Sequence, residues 1–291
     1  MDYRLALEQA IIYIEDMLGE AIKVEDVARA AGYSYYHLNR QFTAILGESI
    51  GSYIKKRRLA NAAKALLYTN KRIIDVALDN GFESAESFSR AFKFIYKVSP
   101  QEYRINRLDT FIASKTKLHA NLLEHLTCNV TVHPTIVKLP ETKVAGIRGE
   151  TTLKDNKLAE LWQKFNKIST QIPHRSLNGR GFGICEACHE NSLYSMSDEV
   201  LFTEVAGIEV ASFEGLPAKF VQKVLPEGRY AVFTHTGTLR TLPQTFHYIW
   251  GTWFLNTKEE MDEREDFELY DQRYLGYDHP DSKVDLYIPI K

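Results

Sequence analysis

Cys185-Glu186-Ala187-Cys188-His189 is a stretch whose residue types and spacing could by themselves do chemistry. Two thiols three positions apart with an adjacent imidazole match the pattern for covalent haem attachment, and the same groups could begin a zinc site or close a redox bridge. Haem attachment of this kind belongs to exported proteins. The first twenty residues break their apolar pattern with Asp2, Glu8, Glu15 and Asp16, so no signal peptide is expected. A zinc ion would find three ligands crowded into five residues and no well-spaced fourth. The stretch therefore reads as a strand end followed by a loop with no cofactor, the redox bridge being left open. Cys128, Cys185 and Cys188 make an odd count, which fits reduced thiols in a cytoplasmic protein.

A second chemically marked stretch is Gly81–Lys93, GFESAESFSRAFK. A helix opening at Ser84 puts Phe88, Ala91, Phe92 and Ile95 on one stripe and turns Glu86, Ser87, Arg90 and Lys93 outward. Such a helix has a face that packs and a face that can touch something. The chain carries a net charge of −2, yet residues 34–107 hold 13 basic against 6 acidic side chains, which on charge alone fits a polyanion binder and a solvated helical surface equally. The 44% hydrophobic and 25% charged composition is that of a globular protein, long enough at 291 residues for two domains, and no stretch approaches a membrane span.

The elements that must position these residues are duplicated. Val27-Ala28 followed by Gly32-Tyr33 recurs as Val76-Ala77 followed by Gly81-Phe82, and Ser34, Leu38, Arg40 and Phe42 recur as Ser84, Phe88, Arg90 and Phe92. Each copy reads as a helix, a glycine in the left-handed conformation, an aromatic, and a serine capping a second helix. Tyr33 could staple onto Leu38, with Leu38, Phe42 and Ile45 continuing the buried stripe. Residues 49–70 between the copies read as one long helix, and Ser99-Pro100-Gln101-Glu102 is a capping box that opens another.

On these motifs, GYSYYHLNRQF, RRLANAAKAL and DVALDNGFESAESFSRAFKFIYKVSPQEYR, residues 1–107 resemble the AraC/XylS-type DNA-binding domain. The resemblance implies an all-α double helix-turn-helix domain whose two recognition helices enter successive major-groove segments of double-stranded DNA about 34 Å apart. It places Tyr35, Tyr36, Asn39 and Arg40 on the first reading face and Ala85, Glu86, Ser87, Ser89 and Arg90 on the second. Arg40 could pair with guanine and Asn39 with adenine, while Glu86 could accept from cytosine but would repel phosphate. Lys55, Lys56, Arg57, Arg58, Lys71, Arg72, Lys93, Lys97 and Arg104 are phosphate candidates; about half could be merely solvated, and Arg57 or Arg58 could form structural ion pairs.

Residues 128–291 change texture to short alternating runs: VTVHPTIVKL, KVAGIRGE, EVLFTEVAGIEVASF, KFVQKVL, RYAVFTHTG, FELYDQRY and KVDLYIPI. Two helical segments interrupt them, 153–168 and 242–256. Leu139-Pro140-Glu141 recurs as Leu225-Pro226-Glu227 at an offset of 86, so two pseudo-symmetric antiparallel strand–helix–strand modules are expected, enclosing a cleft. Alternation puts Glu268 and Tyr270 on one face.

GRYAVFTHTG, the aromatic helix, FELYDQRY and DLYIPI resemble the GyrI-like (gyrase-inhibitor-like) α+β effector-binding domain, and the order of the two parts is that of Rob-type regulators. The resemblance implies that Glu268 is the acid of a cleft for a small-molecule effector, apolar or cationic. Tyr230, Tyr270, Trp162, Phe246 and Trp250 are its wall candidates, each also readable as core. Residues 108–127 are then a linker, either a coupling element or an inert tether. RNA polymerase enters as a partner by the same resemblance; no membrane is expected, and monomer and dimer both stay open. The alternative is a GyrI-like hydrolase with Glu268 as general base, which no serine–histidine–acid or metal-ligand spacing supports.

Overall fold

The computed structural model describes residues 3–106, 115, 117–118, 120–152, 155–177, 179–186 and 202–291, and divides into two compact units, Met1–Cys128 with Pro243–Thr257, and Asn129–Leu242 with Lys258–Lys291. Among the described residues no helix is long and apolar enough to cross a membrane.

The first unit is helical. Its helices are α1 (Tyr3–Asp16), α2 (Val24–Ala30), α3 (Tyr35–Leu46), α4 (Ile50–Tyr68), α5 (Ile73–Asp79), α6 (Ala85–Tyr96), α7 (Pro100–Ile105) and α8 (Ala120–Cys128). The repeat is built as its residues dictate. Gly32 and Gly81 take positive φ at the ends of α2 and α5, and Ser34 and Ser84 cap α3 and α6 by accepting from the amides of His37 and Ser87. Leu38, Phe42 and Leu46 are buried on α3; on α6 the stripe is Phe88, Ala91, Phe92 and Tyr96, with Ile95 only partly buried. Phe82, Phe88 and Phe92 pack in succession at 5.2 and 5.4 Å between ring centroids. Tyr33 stacks on His37 at 5.1 Å.

The two units divide at Cys128/Asn129 and are not contiguous in sequence. Residues 243–257, expected with the second domain, group with the helical unit, and the expected linker contains α8 and Lys115 in that same unit; 108–114 lie outside the described residues. The physical reason is a buried polar network. Lys56 donates to Oε2 of Glu48 at 3.0 Å and to Oδ1 of Asn256 at 2.7 Å, Lys115 pairs with Glu48 at 2.5 Å and bonds Thr252, and His125 meets Thr245 at 2.7 Å. The segment itself is α10 (Leu242–Tyr248) running into a π-helical turn, Ile249–Trp253.

The second unit is one antiparallel eight-stranded sheet with α9 (Leu158–Ile168) and strands β1 (Thr135–Leu139), β2 (Thr142–Thr151), β3 (Gly181–Glu186), β4 (Phe202–Glu209), β5 (Val221–Leu225), β6 (Gly228–Thr236), β7 (Phe267–Tyr270) and β8 (Lys283–Ile290). The order β1-β6-β8-β7-β3-β4-β2-β5 reverses onto itself when β1 to β4 are exchanged with β5 to β8, so the duplication seen at offset 86 is a structural one with its pseudo-dyad between β7 and β3. Each module lends its first strand to the other, β1 pairing with β6 and β5 with β2. One sheet face carries Ala145, Ala206 and Val210 packed with Leu161 and Phe165 of α9; the other carries Val144, Phe182, Val205, Tyr230, Phe267 and Leu269. Strand β7 ends at Tyr270, and Asp271 begins a turn closed by its own bond to the Arg273 amide.

Candidate DNA-reading faces and effector site

On α3, Tyr35, Tyr36 and Arg40 are exposed, Tyr36 by 75%. Asn39 is differently placed. Its Oδ1 accepts from the Ile50 amide at 3.1 Å, so the side chain is tied to the start of α4. On α6, Arg90 is exposed and Ala85 and Ser89 are partly so, while the Ser87 hydroxyl is used in the capping box with Ser84. Glu86 is exposed, and its carboxyl is held below its ordinary value first by its own backbone N–H and then by the Ser84 hydroxyl. It thus serves the N-terminus of its own helix.

Four of the phosphate candidates are engaged within the protein. Arg57 is buried and clasps Glu15 through Nε and Nη2 at 2.7 and 2.8 Å, its Nη1 donating to the Lys115 carbonyl. Lys56 is buried against Glu48. Arg58 donates to the carbonyls of Leu18, Gly81 and Glu20, and Arg104 to those of Leu66 and Lys71. Burial cost explains the choice: a guanidinium drawn under the surface has to spend its donors on backbone or carboxylate oxygens. Lys71 and Arg72 are exposed but paired with Asp79 and Asp75. Lys55, Lys93 and Lys97 are exposed, Lys97 lying over the Phe94 ring.

In the second unit the chemistry gathers beside the pseudo-dyad. Glu268 is 8% exposed and accepts a short bond from the Tyr270 hydroxyl at Oε2. Directly across the ladder stands Gly183, and one strand further Glu204, 3% exposed, faces Cys185. A Cβ built on Gly183 would lie 2.8 Å from Glu204 Oε1, 3.3 Å from Glu268 Oε2 and 3.5 Å from the Tyr270 ring. The missing side chain thus lets both carboxylates lie close over the strand, where a methyl group would not fit without displacing Glu204. Gly181 does the same for Trp162, whose ring lies edge to face with Tyr270 at 4.9 Å; Tyr274 meets Tyr270 from another side at 5.0 Å.

Electrostatics marks the cluster as buried acids held toward their neutral forms. Burial pushes the Glu268 carboxyl up to about 7, the Tyr270 bond offsetting part of the shift and Asp266 adding to it. Burial, then Glu268 and Asp266, push Glu204 well above the carboxylate range, and burial lifts Asp266 to about 6. Among the described residues neither Glu204 nor Glu268 is paired with a lysine or arginine, and Glu204 Oε1 and Trp162 Nε1 are buried without a hydrogen-bond partner. Two buried carboxylates so close cannot both ionise without a cation between them. The Cys185 thiol, beside them, is raised by burial and by Asp266, which opposes a reactive thiolate. Cys188 and His189 lie outside the described residues.

The expected wall is thereby redrawn. Trp162 and Tyr270 lie on the Glu268 side of the sheet, over Gly181 and Gly183. Tyr230 does not: it stands on the opposite sheet face, 1% exposed, packed on Phe267 and under the Arg264 guanidinium, because strand alternation sends it away from the Glu268 side. Phe246 and Trp250 belong to the segment grouped with the helical unit, where Trp250 stacks on Phe254 at 5.1 Å. Glu204 and strand β3 were missed by the sequence reading. The signal was present: subtracting the repeat offset of 86 from FELY at 267–270 lands on GFGI at 181–184, and alternate glycines in a strand mark a close approach to its face.

Comparison with known proteins adds the family. The model of the integron-associated effector binding protein family (Cass2) matches residues 135–290, and a helix-turn-helix domain model matches residues 27–106. The HTH-type transcriptional activator AarP of Providencia stuartii is 38% identical over 100 residues, 34% of this chain and 74% of AarP. The HTH-type transcriptional regulator YbfP of Bacillus subtilis is 48% identical over 104 residues, 36% of this chain and 35% of YbfP. Transcriptional regulator Rob of Salmonella typhimurium is 39% identical over 104 residues, 36% of this chain and 36% of Rob. The chain thus spans about a third of the length of YbfP and of Rob. With an effector-binding match over more than half its length and an AraC-type double helix-turn-helix ahead of it, the chain belongs to the integron-associated effector binding proteins and, through its helical part, to the AraC-type transcription regulators.

Proposed function

We propose that the protein is a sequence-specific, duplex-DNA-binding transcription regulator whose DNA affinity is set by an organic cation bound at Glu268. The observation that carries this reading is a buried carboxylate with no lysine or arginine partner among the described residues, beside Trp162 and Tyr270, in a chain that also presents paired reading helices. A cation with an aromatic or apolar body would gain charge attraction from the acid and cation–π attraction from the rings. On the DNA side, Arg40 with Tyr35 and Tyr36, and Arg90 with Ala85 and Ser89, form the two reading faces, with Lys55, Lys93 and Lys97 at the phosphates. Contact with RNA polymerase and a cytoplasmic setting accompany this reading. Coupling would run through Pro243–Thr257, which is continuous in sequence with the effector unit at both ends and packs in the helical one.

The test is selection of duplexes from a random pool by the full chain, followed by anisotropy titration of the selected duplex with and without a lipophilic cation. Expected are a preferred sequence, a cation-dependent affinity, and loss of the cation effect in Glu268→Gln. Failure to prefer any duplex over random competitor overturns the regulator; turnover of the cation, abolished by Glu268→Gln, overturns the sensor in favour of a hydrolase.

A further inference from the structure

The side chain of Arg58 joins three segments that carry the two reading helices. It leaves α4, the helix between the repeats, near its middle. Nε donates to the carbonyl of Leu18 at 2.9 Å and Nη2 to that of Glu20, both in the connection from α1 to α2. Nη1 donates to the carbonyl of Gly81 at 3.0 Å, in the turn between α5 and α6. A guanidinium carries its donors in one rigid plane, so acceptors bonded to it are fixed relative to one another, which the compact ammonium of a lysine on its flexible stem does not achieve. The packing here is close. A Cβ on Gly81 would lie 2.6 Å from Arg58 Cζ, and one on Gly19 would lie 3.3 Å from the Asp79 carbonyl oxygen, so the connection ahead of the first repeat approaches the backbone at the end of α5 in the second.

The segments so joined lead straight into the reading helices. Gly81 comes just ahead of Ser84, the cap of α6, and Glu20 just ahead of α2, which packs on α3. Asn39 in turn ties α3 to the first residue of α4 through the Ile50 amide. Resting on the DNA-reading function above, we propose that Arg58 is a positioning residue: it sets the separation and angle of α3 and α6, and with them the half-site spacing that the protein accepts on a duplex. One base pair added between the half-sites moves the second by about 3.4 Å and turns it by about 35°, more than a hydrogen-bonded clamp yields.

Anisotropy titrations of the full-length protein test this, on the duplex selected from the random pool and on copies with one base pair inserted or removed between the two footprinted half-sites. The wild type is expected to bind the respaced duplexes at least about tenfold more weakly. Arg58→Met keeps the stem and removes the donors; it is expected to bring the three affinities within about threefold of one another, with the salt slope unchanged. Arg58→Lys, which keeps the charge, is expected to relax the spacing in the same direction, and a thermal melt checks the folding of both. Uniform weakening with the spacing preference intact, or unfolding of both variants, overturns the positioning role. A salt slope reduced by about one returns Arg58 to the phosphate contacts. A wild-type footprint over a single half-site, or equal wild-type affinity for all spacings, overturns the clamp while leaving the regulator standing; preference for no duplex over random competitor overturns both.

Discussion

Lys56 donates to Oδ1 of Asn256 at 2.7 Å although two hundred residues separate them, and the same ammonium holds Glu48 at 3.0 Å. The bond fastens the long helix α4 to a segment whose neighbours on both sides in sequence belong to the effector unit. Lys56→Met removes one of the two cations facing a buried carboxylate and is expected to lower the unfolding free energy by about 3–5 kcal/mol. Urea denaturation followed by circular dichroism measures it, and an unchanged midpoint would contradict the network's structural role.

The acids of the two units should respond to pH in opposite directions. Burial alone would raise Glu48, but the Lys115 and Lys56 ammonium groups outweigh it and hold the carboxyl below its ordinary 4.5; its contribution is therefore full above pH 4.5 and lost as pH falls through the lowered value. Glu268 has the reverse sign. Its folded value near 7 exceeds 4.5, so the folded chain holds a proton that the unfolded chain has released, and stability falls as pH rises from 4.5 to 7. Melting temperatures of Glu268→Gln and wild type should diverge in favour of the variant between pH 5 and 8; parallel curves would refute the buried-acid assignment.

Arg40→Ala should cost roughly 1–3 kcal/mol on the preferred duplex and relax sequence preference, since an exposed guanidinium on α3 can read a base edge. Lys93→Ala should weaken all duplexes alike and reduce the slope of affinity against salt by about one. Anisotropy titrations over a salt series separate the two.

Arg57→Ala should behave unlike either. The side chain is engaged by Glu15 and the Lys115 carbonyl, so its loss is expected to destabilise the helical unit by about 3–5 kcal/mol. Duplex binding by the folded fraction should persist, with the salt slope unchanged. A reduced salt slope in chemically stable protein would restore Arg57 to the phosphate contacts.

Gly183→Ala places a methyl group 2.8 Å from Glu204 Oε1 and 3.3 Å from Glu268 Oε2, so the carboxylates have to shift. Cation binding should fall at least about tenfold. Calorimetry reads it, and wild-type affinity would place the ligand elsewhere.

Much of this architecture was legible from local rules. Glycine stops, serine caps and the Phe88/Phe92 stripe specify the paired helix-turn-helix because each is decided within one or two turns of chain. The Leu-Pro-Glu repeat likewise revealed the module pair. What escaped depends on partners far away in sequence. Arg57 and Lys56 look like surface cations until Glu15 and Glu48 are brought beneath them, and nothing within a turn of Asn39 announces that its oxygen goes to Ile50. Strand β3 was hidden because glycine is a poor strand former, yet Gly181 and Gly183 are there to make room, and without β3 nothing in the sequence joins Glu204 to Glu268. Tyr230 failed for a simpler reason: one step of strand alternation moves an aromatic from wall to core.

The reciprocal loan of β1 and β5 has a mechanical corollary. A proteolytic cut in the connection between the two repeats, near Gly215, would sever the backbone without freeing either half, because each would still be zipped along the rim of its twin. Separation would demand melting fourteen ladder positions at once, the four of β3 against β7 among them, so a nicked effector unit should migrate as an intact body until denaturant is added.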